Sequence, residues 1–208
     1  MEKRQSKPVK TKVRQKTSVP IKIKNYRDGK KVLNIVAKKG TVLDTCASKD
    51  EKYICCNVKV LKAVSNCPFD CSYCFLQNYL TNGTMQVVGD HHALMEEVHQ
   101  KLQSQPWRFF RIGTWELGDS LALEHETGQA SKLVQAFTAL NNTVLELKTK
   151  SHIVEPLLDL NHQGKTVISW SLNTETIINT EEHKTATLTE RLHALKKVAD
   201  AGYLIGLH

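Results

Sequence analysis

Between residues 58 and 208, apolar runs of strand length alternate with stretches whose apolar residues recur at helical spacing. This alternation narrows the choice of fold more than any other feature. Residues 58–64, 109–117, 143–149, 166–172 and 203–208 read as five strands. Between them, Asp90 caps a helix with Leu94, Val98 and Leu102 on one face, residues 131–140 carry Leu133, Val134 and Phe137, and a short helix falls near 154–160. The best-marked helix opens on a capping box, Thr187 with Glu190, and stops at Gly202. Its expected buried residues are Leu188, Leu192, Leu195 and Ala199. Strands alternating with helices call for an α/β fold with a parallel sheet, either open and doubly wound or a partial (β/α) barrel. The sequence stops inside the fifth strand, which is the expectation for a fragment.

The charge is uneven. Residues 1–31 hold 12 Lys+Arg against 2 Asp+Glu, and the remaining 177 hold 17 against 19, so the formal net charge of +8 belongs to the N-terminal end. Such an arm fits the phosphates of a nucleic acid, or else serves as a solvated tail. Only the alternation of Val19, Ile21 and Ile23 hints at a strand within it. The expected organisation is a basic, flexible arm over 1–31, a small β-rich preface over 32–57 (with strand-like pieces at 32–37, 40–43 and 53–56), and the main domain over 58–208. No apolar run approaches the ~20 residues that span a bilayer, and no apolar stretch follows the charged start as in a secretory signal. A cytoplasmic protein without a membrane partner is expected.

Six cysteines, Cys46, Cys55, Cys56, Cys67, Cys71 and Cys74, crowd into 29 residues, and none follows. With no export signal, this points to metal chemistry in a reducing compartment and not to disulfides. Cys67, Cys71 and Cys74 have the spacing C-x3-C-x2-C in a loop directly after the first strand. Three thiolates suit a [4Fe–4S] cluster with one iron left open, since such cubes are otherwise held by four. The alternative is a structural zinc ion whose fourth ligand comes from Cys46, Cys55, Cys56, His91 or His92. Cys46, Cys55 and Cys56 are otherwise expected to be small core residues without redox chemistry.

The triplet, with Tyr73 just before its last cysteine, resembles the signature of the radical S-adenosylmethionine enzymes. The resemblance extends along the chain. Cys67-Pro-Phe-Asp-Cys-Ser-Tyr-Cys-Phe-Leu-Gln77, Glu116-Leu-Gly-Asp-Ser-Leu-Ala-Leu-Glu-His125, Glu146-Leu-Lys-Thr-Lys-Ser151, Ser169-Trp-Ser-Leu-Asn173 and the run from Glu190 to Tyr203 come in the order found in the spore photoproduct lyase family. The resemblance covers about residues 40–208. It implies a partial (β/α)6 barrel, here truncated after the fifth strand, with chemistry at the carboxyl ends of the strands. It also implies a [4Fe–4S] cluster on Cys67, Cys71 and Cys74 and bound S-adenosylmethionine, which an electron cleaves to methionine and a 5′-deoxyadenosyl radical. Implied cofactor contacts are Tyr73 beside the adenine, Lys150 and Ser171, then Glu116 and Asp119 toward the amino group, and Asn173 in the same layer. Implied partners are a reducing electron donor and DNA, bound through the basic arm and carrying a thymine-dimer lesion that must be extruded from the stack.

One departure bears on function. In the family, a cysteine near the end of the second strand returns a hydrogen atom to the substrate; aligned on Asp119 and His125, that position holds Glu116 here. Tyr73 and Tyr79 are the substitutes within this sequence. Two other readings stand beside the lyase: a same-family radical enzyme acting on another substrate, and a zinc-stabilised nucleic-acid-binding module without catalysis. The catalytic residue and the oligomeric state are left open.

Overall fold

The computed structural model describes residues 12–14, 25–46, 52, 57–81 and 83–208. The strand-like pieces at 19–23 and 53–56, with Cys55 and Cys56, lie outside the described residues. In chain order the elements are strand β1 (Lys12–Arg14), helix α1 (Tyr26–Gly29), β2 (Val32–Val36), β3 (Leu43–Thr45), β4 (Lys59–Leu61), β5 (Val64–Ser65), β6 (Asp70–Cys71), α2 (Leu76–Tyr79), β7 (Met85–Val88), α3 (His91–Ser104) and β8 (Phe110–Gly113). There follow α4 (Glu124–Thr127), α5 (Gln129–Thr138), β9 (Thr143–Thr149), a 3-10 turn (Glu155–Leu157), β10 (Thr166–Trp170), α6 (Glu175–Glu181), β11 (Glu182–His183), α7 (Leu188–Asp200) and β12 (Leu204–Leu207).

The alternating pattern folds as a parallel α/β sheet. β4, β8, β9, β10 and β12 are parallel neighbours in that order, and β3 pairs antiparallel outside β4. Neighbours therefore follow chain order without the reversal of a doubly wound sheet. Side chains alternate along each strand, which separates two environments. Ile112, Leu145, Leu147, Ile168 and Trp170 belong to one apolar core with Leu133, Val134 and Phe137 of α5 and Ala194 and Val198 of α7. Glu146 is buried on β9 beside Arg111 of β8 at 2.6 Å, and it accepts from the Ser169 hydroxyl of β10 at 3.1 Å. Polar residues thus line the sheet below the ends where β8, β9 and β10 stop.

Several expectations change. The strand expected over 58–64 divides at Lys62–Ala63: β4 joins the main sheet, while β5 joins a second sheet, β1-β2-β7-β5. Ala63 makes the break, its N–H donating to Leu61 O at 2.8 Å while its carbonyl accepts from Val88 N at 3.0 Å. The preface is not a separate layer, because β3 hydrogen-bonds to β4 and β2 to β7. Nor does the arm extend to residue 31. Asn25 caps α1 through Asp28 N at 2.9 Å, and Lys30 is buried against the cysteine loop. Apolar periodicity missed this segment because its anchors are polar.

The capping box of α7 forms as expected, Glu190 N donating to the Thr187 hydroxyl at 3.2 Å and Thr187 N to Glu190 Oε2 at 2.7 Å. Its buried face differs. Arg191, Ala194 and Val198 point inward, whereas Leu192 is 46% exposed and Ala199 is at the surface. The helix is rotated by one position because Arg191 has an interior partner. That partner lies on β11, which, with α6, the sequence pattern did not anticipate.

Candidate active site

The cysteine loop is held from behind by an asparagine. Asn66 is fully buried at φ +63°, a left-handed conformation that asparagine tolerates. Its N–H donates to Leu117 O at 2.6 Å and its Nδ2 to Gly83 O at 2.8 Å, while its Oδ1 accepts from Cys67 N at 2.9 Å and the Tyr26 hydroxyl at 3.1 Å. The loop thereby lies so close to Gly118 that a Cβ there would sit 2.9 Å from Asn66 O. Past Phe69 the chain pairs briefly, Cys71 opposite Glu182 and Asp70 opposite His183, and then turns with Cys74 N donating to Cys71 O at 3.2 Å.

Cys67, Cys71 and Cys74 all face one cleft, the first two buried and the third half-buried. Tyr73 of the same loop lines this cleft, as do Glu116, Asp119, Lys150 and Ser171 from beyond the ends of β8, β9 and β10. Burial pushes the Cys67 thiol up to about 12, with Asp119 adding to the rise and Lys30 opposing it. Burial likewise lifts Cys71 to about 11, against the pull of Lys150. Cys46 is a free, half-buried thiol that does not line this cleft.

Two of the expected contact residues have protein partners. Asp119 reaches the cleft, but its carboxylate accepts from Leu121 N, Ala122 N, the Thr149 hydroxyl and Lys150 N at 2.7–3.0 Å. Burial raises its pKa, and these same hydrogen bonds work against the rise. It braces the β8 and β9 ends and fixes the Lys150 backbone instead of offering a free carboxylate. Asn173 does not line the cleft; its Nδ2 donates to Glu182 Oε1 at 2.8 Å.

Glu182 and Arg191 are neighbours of the cleft that periodicity missed. The Tyr73 ring is 54% exposed, yet its hydroxyl donates to Glu182, whose other oxygen meets Arg191 Nη2 at 2.6 Å. Arg191 also donates to Ala186 O, Ser171 O and the Thr185 hydroxyl at 3.0, 2.7 and 2.8 Å. One buried pair thus connects the cysteine loop to the end of β10. Lys150 Nζ stands 5.8 Å from the Tyr73 ring centroid, placing a cation at the edge of the same aromatic wall.

A three-thiol cleft at the carboxyl ends of parallel strands invites comparison with known proteins. A family model described as "Spore photoproduct lyase" matches residues 6–208. The chain belongs to the spore photoproduct lyase family. The spore photoproduct lyase of Bacillus subtilis (strain 168) is 27% identical over 187 residues, covering 88% of this chain and 52% of the relative. A solved spore photoproduct lyase complexed with dinucleoside spore photoproduct superposes with a TM-score of 0.81 at 25% identity, covering 93% of this chain and 56% of that one. A mutant spore photoproduct lyase with bound AdoMet and the same dinucleoside gives 0.80 at 26% identity, over 93% and 56%. The chain spans about half the length of these family members. No helix among the described residues is long and apolar enough to cross a membrane.

Proposed function

We propose that this chain carries the cofactor-binding part of a radical S-adenosylmethionine enzyme acting on a thymine-dimer lesion in DNA, within a reducing cytosol. Its five parallel strands belong to a partial (β/α)6 barrel, and the basic residues before Asn25 serve as the DNA-contacting arm. The observation that carries this reading is that three cysteines of one loop open onto a single cleft with Tyr73, Glu116, Lys150 and Ser171, in a chain of this family.

The donor set fits an iron–sulfur cluster better than zinc. A cubane spreads its thiolates over separate irons, whereas one zinc ion gathers them at about 2.3 Å. Among the described residues no three His, Cys, Asp or Glu side chains converge to hold a single ion, although three cysteines share the cleft. Cys67, Cys71 and Cys74 would hold the cluster; bound there with S-adenosylmethionine, it supplies a 5′-deoxyadenosyl radical. Tyr73 offers a ring face fixed by Glu182. Lys150 offers an ammonium on a backbone pinned by Asp119, and Ser171 a hydroxyl on a backbone whose N–H donates to Thr149 O and whose carbonyl accepts from Arg191. Glu116, on the cleft wall, would take the amino group of the cofactor. Asp119 and Asn173 act by holding these groups.

Glu116 favours a second reading, a same-family radical enzyme with another substrate, because among the described residues the cleft holds no cysteine beyond the three and a carboxylic O–H is a poor hydrogen-atom donor. Anaerobic incubation of the reconstituted chain with S-adenosylmethionine and dithionite, with and without irradiated DNA, separates the readings. The expected result is 5′-deoxyadenosine with methionine, increased by irradiated DNA, and loss of the lesion. Cofactor cleavage with the lesion untouched would select the second reading. A loaded cluster with no cofactor cleavage would overturn both.

A further inference from the structure

On the side of the cysteine loop away from the cleft, three cations gather on one carboxylate. Asp70 is met by Arg27 Nε at 3.3 Å, Lys184 Nζ at 3.7 Å and Lys30 Nζ at 3.8 Å. Arg27 and Lys30 come from α1 and its C-cap, Lys184 from the turn after β11. In β6 consecutive side chains point to opposite faces, so Cys71 lines the cleft while Asp70 turns from it. Lys30 is only 2% exposed and its ammonium also donates to Phe69 O, whereas Arg27 and Lys184 are 77% and 44% exposed. Glu181, on the same edge, is turned to the Ser72 hydroxyl. One carboxylate cannot neutralise three cations, so the patch stays positive one residue from a cluster cysteine.

We propose that Arg27 and Lys184, backed by buried Lys30 on Asp70, form the docking patch for a small acidic one-electron carrier protein that reduces the cluster from the face opposite the cleft. The inference rests on the cluster reading above. Its logic is one of access. S-adenosylmethionine and substrate fill the cleft during turnover, so the electron must enter by the other face, and the patch lies there. A DNA backbone would need its lesion at the cleft, on the wrong side of the loop. With a flavin carrier, one electron leaves the anionic hydroquinone, which becomes the neutral semiquinone, and enters the oxidised cluster; no bond forms or breaks. Opposite charges raise association rates by roughly 10–1,000-fold and lose that advantage in salt.

Reduced flavodoxin is the probe, and Arg27→Glu with Lys184→Glu is the variant, both positions being exposed and outside the cleft. Binding of oxidised flavodoxin and the rate of cluster bleaching by its hydroquinone should each fall about 10-fold or more at low salt, with dithionite bleaching unchanged. The wild-type flavodoxin rate should fall steeply with added salt. Unchanged flavodoxin binding and rate in the variant would overturn the proposal. So would reversals that weaken binding to duplex DNA but not to flavodoxin. If the variant also loses dithionite bleaching, the wild-type salt series decides: steep supports the patch, flat overturns it. Failure of wild-type protein to cleave S-adenosylmethionine with dithionite strikes the cluster reading instead, and flavodoxin binding is then scored by itself.

Discussion

Replacing Arg191 by methionine should lower stability by about 3–5 kcal/mol, because it leaves the Glu182 carboxylate buried and unpaired. At roughly 2–4 °C per kcal/mol for a chain of this size, thermal unfolding should come about 6–20 °C earlier. Arg191 is fully buried, and its loss also removes the donors to Ser171 O and Ala186 O. Glu182 sets the pH dependence. Burial alone would raise its pKa, but hydrogen bonds from Tyr73, Arg191 and Asn173 outweigh it and hold the carboxyl below its ordinary 4.5. A lowered folded-state value contributes stability above the unfolded one and loses it as pH falls through the folded one. The gap between wild type and Arg191→Met should therefore close below about pH 4.5. The double change Arg191→Met with Glu182→Leu should regain at least half of the lost stability, since a buried pair replaced by apolar residues is often neutral. It should not regain cofactor affinity, because the Tyr73 hydroxyl then has no Glu182 acceptor. Calorimetry and S-adenosylmethionine binding on the three proteins test both statements.

Cys71→Ala should remove the chemistry while sparing most of the fold. Iron after anaerobic reconstitution should drop from about four per chain to less than about one, and 5′-deoxyadenosine should fall to background. Cys71 packs in a small cluster with Cys67, Phe69 and Ala122, apart from the main core. Deleting one sulfur there should cost on the order of 1 kcal/mol, visible as a small shift in thermal unfolding. Cys46→Ser, outside the cleft, should leave iron and product unchanged. Equal loss of iron in both variants would mean that the cleft does not distinguish the cysteines.

What could be read from the sequence was what short-range pattern encodes. β9 over Thr143–Thr149 and the capping box of α7 appear as expected, because alternation and caps are local. The three cysteines were legible for the same reason: their spacing sits within one loop. Long-range polar contacts were not legible. Nothing local marks Arg191 and Glu182 as partners, which meet inside at 2.6 Å where β11 pairs with β6. Asp119 was recognised as a strand-end acid, but its role follows from backbone N–H groups of Leu121, Ala122 and Lys150 that no pattern displays. Tyr26 and Lys30 read as part of a basic arm because their anchors, Asn66 and the Phe69 carbonyl, lie some 40 residues away.

The most direct measurement of whether the thiol cleft holds an open-cornered cluster is electron–nuclear double resonance of the reduced, reconstituted chain with S-adenosylmethionine labelled at its amino nitrogen and carboxylate oxygen. The expected result is strong coupling of both labels to one iron. A reduced-cluster signal without coupling to either label, or a colourless protein with one zinc per chain, would contradict it.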